Sequence, residues 1–76
     1  MASGQELFRE QMAGEYNRLT GILRTNPRYV IARSRLILRQ ADRWLQQSDL
    51  TEAERLWLEV IKESFEELIE RAGGTP

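Results

Sequence analysis

Apolar residues recur along the chain at spacings of three and four, the repeat expected of helices with one buried face. Ser3 and Glu6 have the spacing of a capping box, which marks the start of the first such segment. Gly14 and Gly21 lie opposite its apolar face, and each costs about 1 kcal/mol relative to alanine in a helix. The segment is predicted to be a helix over residues 4–24, with a core face of Phe8, Met12, Tyr16, Leu19 and Leu23.

Two further segments show the same helical repeat. The first is predicted to be a helix over residues 27–47, with a wide apolar face of Val30, Ile31, Ile37, Leu38, Ala41, Trp44 and Leu45. Ser34 lies in the middle of this face, and we expect its hydroxyl to bond back to the carbonyl of residue 30. The other is predicted over residues 51–72, with a face of Trp57, Leu58, Ile61, Phe65, Leu68, Ile69 and Ala72.

Capping residues mark the boundaries of the second and third helices. Asn26 is a good N-cap, and Pro27 suits the first helical position, where a missing N–H costs nothing. Thr51 followed three residues later by Glu54 has the spacing of a capping box. Gly73 is a natural stop after the third helix. These signals place two short turns between three helices.

Short turns favour antiparallel packing of consecutive helices. The sequence therefore predicts an all-α fold in one domain spanning residues 1–76, with loose termini at 1–3 and 73–76. The fold is either an antiparallel three-helix bundle or a helical hairpin completed by dimerisation. A domain this small buries only about 60% of the surface that its unfolded chain exposes, and oligomerisation is a common remedy.

The composition argues against most catalytic chemistry. Hydrophobic residues make up 41% of the chain and charged residues 30%, as in globular helical proteins, but cysteine and histidine are both absent. Thiolate and imidazole metal sites, cysteine nucleophiles and the commonest general base are thereby excluded. No glycine-rich phosphate loop precedes a helix. We expect a protein that is not an enzyme and has no catalytic residues, cofactor or metal.

The beginning of the sequence has no basic start followed by an apolar run, so no signal peptide is predicted. No stretch approaches the roughly 18 apolar residues of a membrane-spanning helix. The expected location is the cytoplasm, without contact with a membrane.

Charge is distributed unevenly along the chain. The net charge is −1, yet residues 26–47 contain five arginines and one aspartate, and residues 48–76 contain eight acidic and three basic residues. The second helix carries a stripe away from its core face that mixes an aromatic and a leucine with arginines, a composition favoured at protein interfaces. Its partner-binding residues are predicted to be Tyr29, Arg33, Leu36, Arg39 and Arg43. They are here called the α2 stripe, after this second helix, α2, which is predicted over residues 27–47.

Two other interpretations of the α2 stripe stay open. Tyr29 and Leu36 could pack under the first helix, with the arginines merely solvated. Alternatively, a dimer could align the arginines into a ridge for a nucleic-acid backbone. The slight negative net charge and the nearby acidic helix make nucleic acid the less favoured partner.

The third helix carries a secondary acidic surface of Glu59, Glu63, Glu66 and Glu70. One interpretation is a solvated face with helical ion pairs such as Lys62–Glu66, each worth a few tenths of a kcal/mol. The other is electrostatic matching with a basic partner or with the arginines of a second subunit, which sets orientation more than affinity. Matching with a second subunit would make the protein a homo-oligomer, and we expect a homo-oligomer, with a dimer favoured.

The string Glu66-Glu67-Leu68-Ile69-Glu70 resembles the EExxE motif of the all-alpha MazG-type pyrophosphohydrolases. The resemblance implies helices that bind magnesium through carboxylates. It covers five residues, and the ExxD segment that follows in that family has no counterpart here. A carboxylate-metal hydrolase is therefore the remote alternative.

Taken together, these patterns favour a small non-enzymatic interaction module. An adaptor, regulator or inhibitor that binds a protein partner through the α2 stripe is the primary hypothesis. A nucleic-acid-associated regulator that uses the same arginines is the second.

Overall fold

The computed structural model describes residues 4–75, and within this range the chain is helical without strands, as the sequence predicts. The helices are α1 (Gly4–Gly21), α2 (Pro27–Leu45) and α3 (Glu52–Arg71). They form one globule with a Cα radius of gyration of 12.6 Å and principal extents of 39 × 25 × 15 Å. Within these residues, no helix combines the length and apolarity that crossing a bilayer requires.

Contacts between α1 and α2 show that the two helices run in opposite directions. Glu15 of α1 bonds to Arg33 of α2, whereas Arg18, further along α1, bonds to Tyr29, which precedes Arg33 on α2. Residue numbers therefore rise along α1 as they fall along α2.

Contacts between α2 and α3 show the same antiparallel relation. Asp42 of α2 pairs with Lys62 of α3, whereas Arg35, earlier on α2, bonds to the carbonyl of Thr75 beyond the end of α3. The structure is thus an up-down-up arrangement, in which α1 and α3 run parallel.

Local signals in the sequence explain where α2 and α3 begin. The Asn26 side chain accepts a hydrogen bond from the Tyr29 N–H at 3.4 Å, and Pro27 opens α2. At α3, the Thr51 Oγ1 accepts from the Glu54 N–H at 3.1 Å, and the Glu54 carboxylate accepts from the Thr51 N–H at 2.9 Å. Both predicted caps are confirmed, whereas the predicted Ser3–Glu6 box lies partly outside the described residues.

Helix α1 ends three residues before its predicted end. After Gly21 the chain forms tight turns, in which the Asn26 N–H donates to the Ile22 carbonyl at 2.8 Å. These turns direct Ile22 and Leu23 towards the core, where both are partly buried. Glycine is a poor helix former and the residue before a proline disfavours helical backbone, so the chain leaves the helix early.

The end of α3 is a Schellman motif. The Gly74 N–H donates to the Ile69 carbonyl at 2.9 Å and the Gly73 N–H to the Glu70 carbonyl at 3.0 Å, with Gly73 at a φ of +91°. Glycine meets this positive φ without strain. A Cβ on Gly74 would lie 3.0 Å from Ile31 Cδ1, so this residue of the predicted loose tail packs closely against α2.

The core is built from the predicted apolar faces. Helices α2 and α3 form the closest pair, and α1 covers them. The buried hydrophobic side chains of the core are Phe8, Met12, Leu19, Val30, Ile37, Ala41, Leu58, Phe65, Leu68 and Ile69.

Helix α1 rests on the other two helices through aromatic side chains. The ring of Phe8 lies between Trp44 and Trp57, with centroid separations of 6.2 and 6.3 Å. The ring of Tyr16 meets Phe65 edge-on at 5.9 Å. Such pairs each contribute about 0.5–1.5 kcal/mol beyond the area they bury. Large rings thus fill the interfaces of α1 with α2 and with α3.

One detail of the core differs from the prediction. Ser34 is completely buried, but its Oγ makes no hydrogen bond within residues 4–75, so the expected bond to the carbonyl of residue 30 is wrong. The backbone of α2 stays regularly helical at Ser34. Within residues 4–75, the Oγ of this serine is thus a buried polar atom without a hydrogen-bond partner.

Candidate partner-binding surfaces

The α2 stripe divides into two parts that differ in their contacts with α1. Tyr29 and Arg33, near the start of α2, are bonded to α1, whereas Leu36, Arg39 and Arg43 are turned towards solvent. The first part of the stripe thus packs against α1, as one of the interpretations expects, and the second part is an open surface.

Glu15 joins the first part of the α2 stripe to α1. Its carboxylate accepts hydrogen bonds from the Arg33 Nε and Nη2 at 3.1 and 2.8 Å, and from the Arg18 Nη2 at 2.6 Å. Arg18 also donates to the Tyr29 hydroxyl at 3.0 Å and lies 5.4 Å from the centre of its ring. Tyr29 and Arg33 are therefore held in fixed positions, with Tyr29 still 40% exposed.

The protonation of Glu15 follows from these contacts. Partial burial by itself raises the pKa of Glu15, but the hydrogen bonds from Arg18 and Arg33 outweigh it and bring the pKa below its ordinary value. The carboxylate is consequently charged at neutral pH and keeps both guanidinium groups in place.

The second part of the α2 stripe is open to solvent. The side chain of Leu36 is 47% exposed, and Arg39 and Arg43 form no ion pair within residues 4–75. Arg43 and Gln40 line a groove of about 530 Å³ between α2 and the first half of α1. An exposed leucine thus lies beside two cations that form no ion pair in the part of the chain that the structure describes.

Leu7 is a residue of this surface that the sequence analysis missed. It is 49% exposed and lines the same groove as Arg43 and Trp44. Its position next to Phe8, outside the four-and-three register of α1, is the sequence signal that could have identified it.

The acidic surface of α3 is organised around Lys62. Glu59, Glu63 and Glu66 line a shallow depression of about 280 Å³ together with this lysine, and Glu70 lies exposed one turn beyond Glu66. The three glutamates share one face, as the sequence predicts for a helix.

The predicted pair of Lys62 with Glu66 is wrong. The Lys62 Nζ lies 2.7 Å from the Asp42 Oδ1, across the α2–α3 interface. The hydrogen bond to Asp42 raises the pKa of Lys62 above its ordinary value. The lysine therefore ties two helices together, and Glu66 stays without an ion pair within the described residues.

A second apolar groove, which the sequence analysis did not identify, runs between α1 and α3. Its volume is about 390 Å³, and the residues lining it are Arg9, Met12, Ala13, Tyr16, Asn17, Trp57, Val60, Ile61, Ser64 and Phe65. On the α1 side Arg9, Met12 and Tyr16 are large and Ala13 is small, whereas the α3 side is mostly apolar. The edge-on contact of Tyr16 with Phe65 borders this space.

Carboxylates within residues 4–75 form no group of three or more placed to hold a metal ion. Glu66 is half-buried, while Glu67 and Glu70 are exposed at successive positions around α3. The EExxE string of α3 therefore has no metal-binding geometry in this part of the chain.

Comparisons of the chain with protein-family models, with curated protein sequences and with solved structures found no match. Its function is accordingly inferred from the chemistry of these surfaces.

Proposed function

We propose that the chain is a non-enzymatic protein–protein interaction module that binds an acidic protein surface through the α2 stripe. The observation that supports this most directly is the exposure of Leu36 beside Arg39 and Arg43, which form no ion pair within residues 4–75. A leucine half-exposed to solvent supplies apolar contact area, and Arg39 and Arg43 supply donors for carboxylates.

Preorganisation also supports the proposal. Tyr29 and Arg33 are held by Arg18 and Glu15, so little side-chain freedom is lost when a partner contacts them. Tyrosine and arginine are the residue types most often found at the energetic centre of protein interfaces. The α2 stripe therefore combines a fixed half with an adaptable half.

Affinity capture with matched variants tests this function. Wild-type protein is immobilised beside Leu36→Asp, and Arg24→Glu in the turn after α1 serves as the control, because Arg24 is exposed and lies outside both the α2 stripe and the groove between α1 and α3. We expect Leu36→Asp to lose a retained protein that Arg24→Glu keeps, and Arg39→Glu with Arg43→Glu to lose it as well. The retained protein is then purified, and its affinity for Leu36→Asp should be at least about tenfold lower than its affinity for the wild-type chain.

Other outcomes identify other functions. Retention that nuclease treatment abolishes would assign the arginines to nucleic acid and overturn the proposal. Equal retention by Leu36→Asp and wild type would also overturn it. Light scattering of the free protein over a range of concentrations identifies a second copy as the occupant if a dimer forms that Leu36→Asp prevents.

A further inference from the structure

The groove between α1 and α3 is a second candidate interaction surface, independent of the α2 stripe. Its walls include the rings of Tyr16 and Trp57 and the side chain of Val60, which is 53% exposed. Leu56, one turn before Val60, extends the apolar strip onto the outer face of α3. Apolar side chains thus continue from the groove onto the outer face of α3.

The groove follows about two turns of α1. Arg9, Ala13 and Asn17 lie one turn apart on the α1 side, and mostly apolar side chains of α3 form the opposite wall. The small side chain of Ala13 leaves room for a third backbone near the middle of the groove. An amphipathic helix lying in such a groove inserts side chains spaced by three and four residues.

Charges beside the groove indicate what the bound helix carries. Next to Val60, on the outer side of α3, Glu59 and Glu63 are exposed. On the α1 side, the guanidinium of Arg9 lies 5.8 Å from the centre of the Trp57 ring. The α3 border is thus negative, while a cation already covers one end of the groove.

A second copy of the chain fits these charges poorly where the two α3 borders meet. In a symmetric contact centred on that border, Glu59 and Glu63 of one copy would lie close to the same residues of the other, and the facing carboxylates would repel. A cationic partner would instead be attracted to both glutamates.

We infer that the α1–α3 groove, with Leu56, Val60, Glu59 and Glu63, binds an amphipathic helix of another protein whose apolar stripe is bordered by lysine or arginine. The apolar stripe fills the groove over Trp57 and Val60. The cationic border lies along the glutamates of α3 and fixes the orientation of the bound helix.

The test uses a synthetic amphipathic peptide of leucine, alanine and lysine, with lysines bordering the leucine face, titrated into isotopically labelled protein. We expect saturable NMR shifts at Ala13, Asn17 and Val60 and at the indole N–H of Trp57. A peptide with glutamates in place of the lysines should bind at least about tenfold more weakly.

Variants on the two faces separate this inference from the proposed function. Val60→Glu should weaken peptide binding at least about tenfold, and Glu59→Lys with Glu63→Lys should remove the preference for the lysine peptide. Leu36→Asp should bind the peptide as wild type does, because Leu36 lies on the outer face of α2. An unchanged amide spectrum of each free variant, apart from the substituted site, shows that the fold is intact.

Three results would overturn the inference. The first is an absence of saturable shifts, and the second is equal binding of the lysine and glutamate peptides. The third is a set of shifts centred on α2 that Leu36→Asp abolishes, which would assign the peptide to the α2 stripe. Shifts at Trp57 that appear on concentrating the protein alone would identify a second copy as the occupant and would equally contradict it.

Discussion

The hydroxyl of Ser34 lies in the interior of the bundle on the buried face of α2. Its neighbours on that face, Val30 and Ile37, are completely buried apolar residues. A buried polar atom without a partner loses its hydrogen bonds to water and gains none, at a cost of about 1–3 kcal/mol. Alanine has nearly the same shape and lacks that atom.

Ser34→Ala is therefore expected to stabilise the protein by about 1 kcal/mol or more. In a domain of this length, that corresponds to a rise in Tm of about 4–8 °C. Thermal unfolding followed by circular dichroism measures it. Ser64→Ala is the matched control and should change Tm little, because the half-exposed Ser64 Oγ donates to the Val60 carbonyl at 2.9 Å. A loss of stability in Ser34→Ala would show that the hydroxyl is bonded in solution.

At the scale of elements, Glu15 is the main polar link between α1 and α2. Its folded-state pKa lies below the ordinary value of 4.5, so charged Glu15 stabilises the folded state above that value. The contribution is lost as the pH falls through the folded-state pKa. The link therefore weakens in acid, where protonation removes the acceptor for both arginines.

The matching prediction concerns Glu15→Gln. At pH 7 this variant should unfold with a free energy about 1–2 kcal/mol lower than wild type, since charge-assisted hydrogen bonds from two arginines are weakened. The difference should shrink as the pH falls below 4.5, when wild type loses the same bonds. Urea unfolding at a series of pH values measures it. Glu10→Gln, on the exposed side of α1, should lower the free energy of unfolding less, and this loss should vary less with pH. An equal loss in both variants would contradict the role of Glu15 as the link between α1 and α2.

The elements differ in how well the sequence predicts them. Capping residues and periodicity predicted the bounds of α2 and α3 closely. Asn26, Thr51 and Gly73 set these bounds through the backbone of residues next to them in sequence, so the sequence alone reveals them. Contacts between helices, such as Lys62 with Asp42, depend on how the helices rotate and cross, which periodicity does not specify. The groove between α1 and α3 was missed for the same reason, since its width is set by rings packed across the interface.

For the candidate site, the sequence predicted which residues form the α2 stripe. It did not predict that one part of the stripe is bonded to α1 while the other part is open to solvent. The spacing of the α2 stripe placed Leu36, Arg39 and Arg43 on one exposed face. It did not indicate that Arg33 belongs to an interhelical network, because Glu15 is 18 positions away in sequence. Whether a partner uses the stripe stays a prediction.

At the scale of the whole molecule, the three helices are held unequally. Helices α2 and α3 are the closest pair and are joined by the Lys62–Asp42 bridge and by the packing of Gly74 on Ile31. Helix α1 contacts α2 and α3 through aromatic rings, with a groove on each side of it. Fewer close contacts and a glycine in mid-helix imply a lower free energy of local opening for α1.

Native-state hydrogen exchange should therefore show lower protection in α1 than in α2 and α3. Gly14→Ala should narrow this difference by about 0.5–1 kcal/mol, because the new methyl group meets nothing within 4 Å and alanine favours helix. The amides around Phe65, in the α2–α3 pair, are the reference and should report the opening of the whole fold. Equal protection in all three helices would mean that α1 opens only with the whole fold, and that the α1–α3 groove is as rigid as the core beneath it.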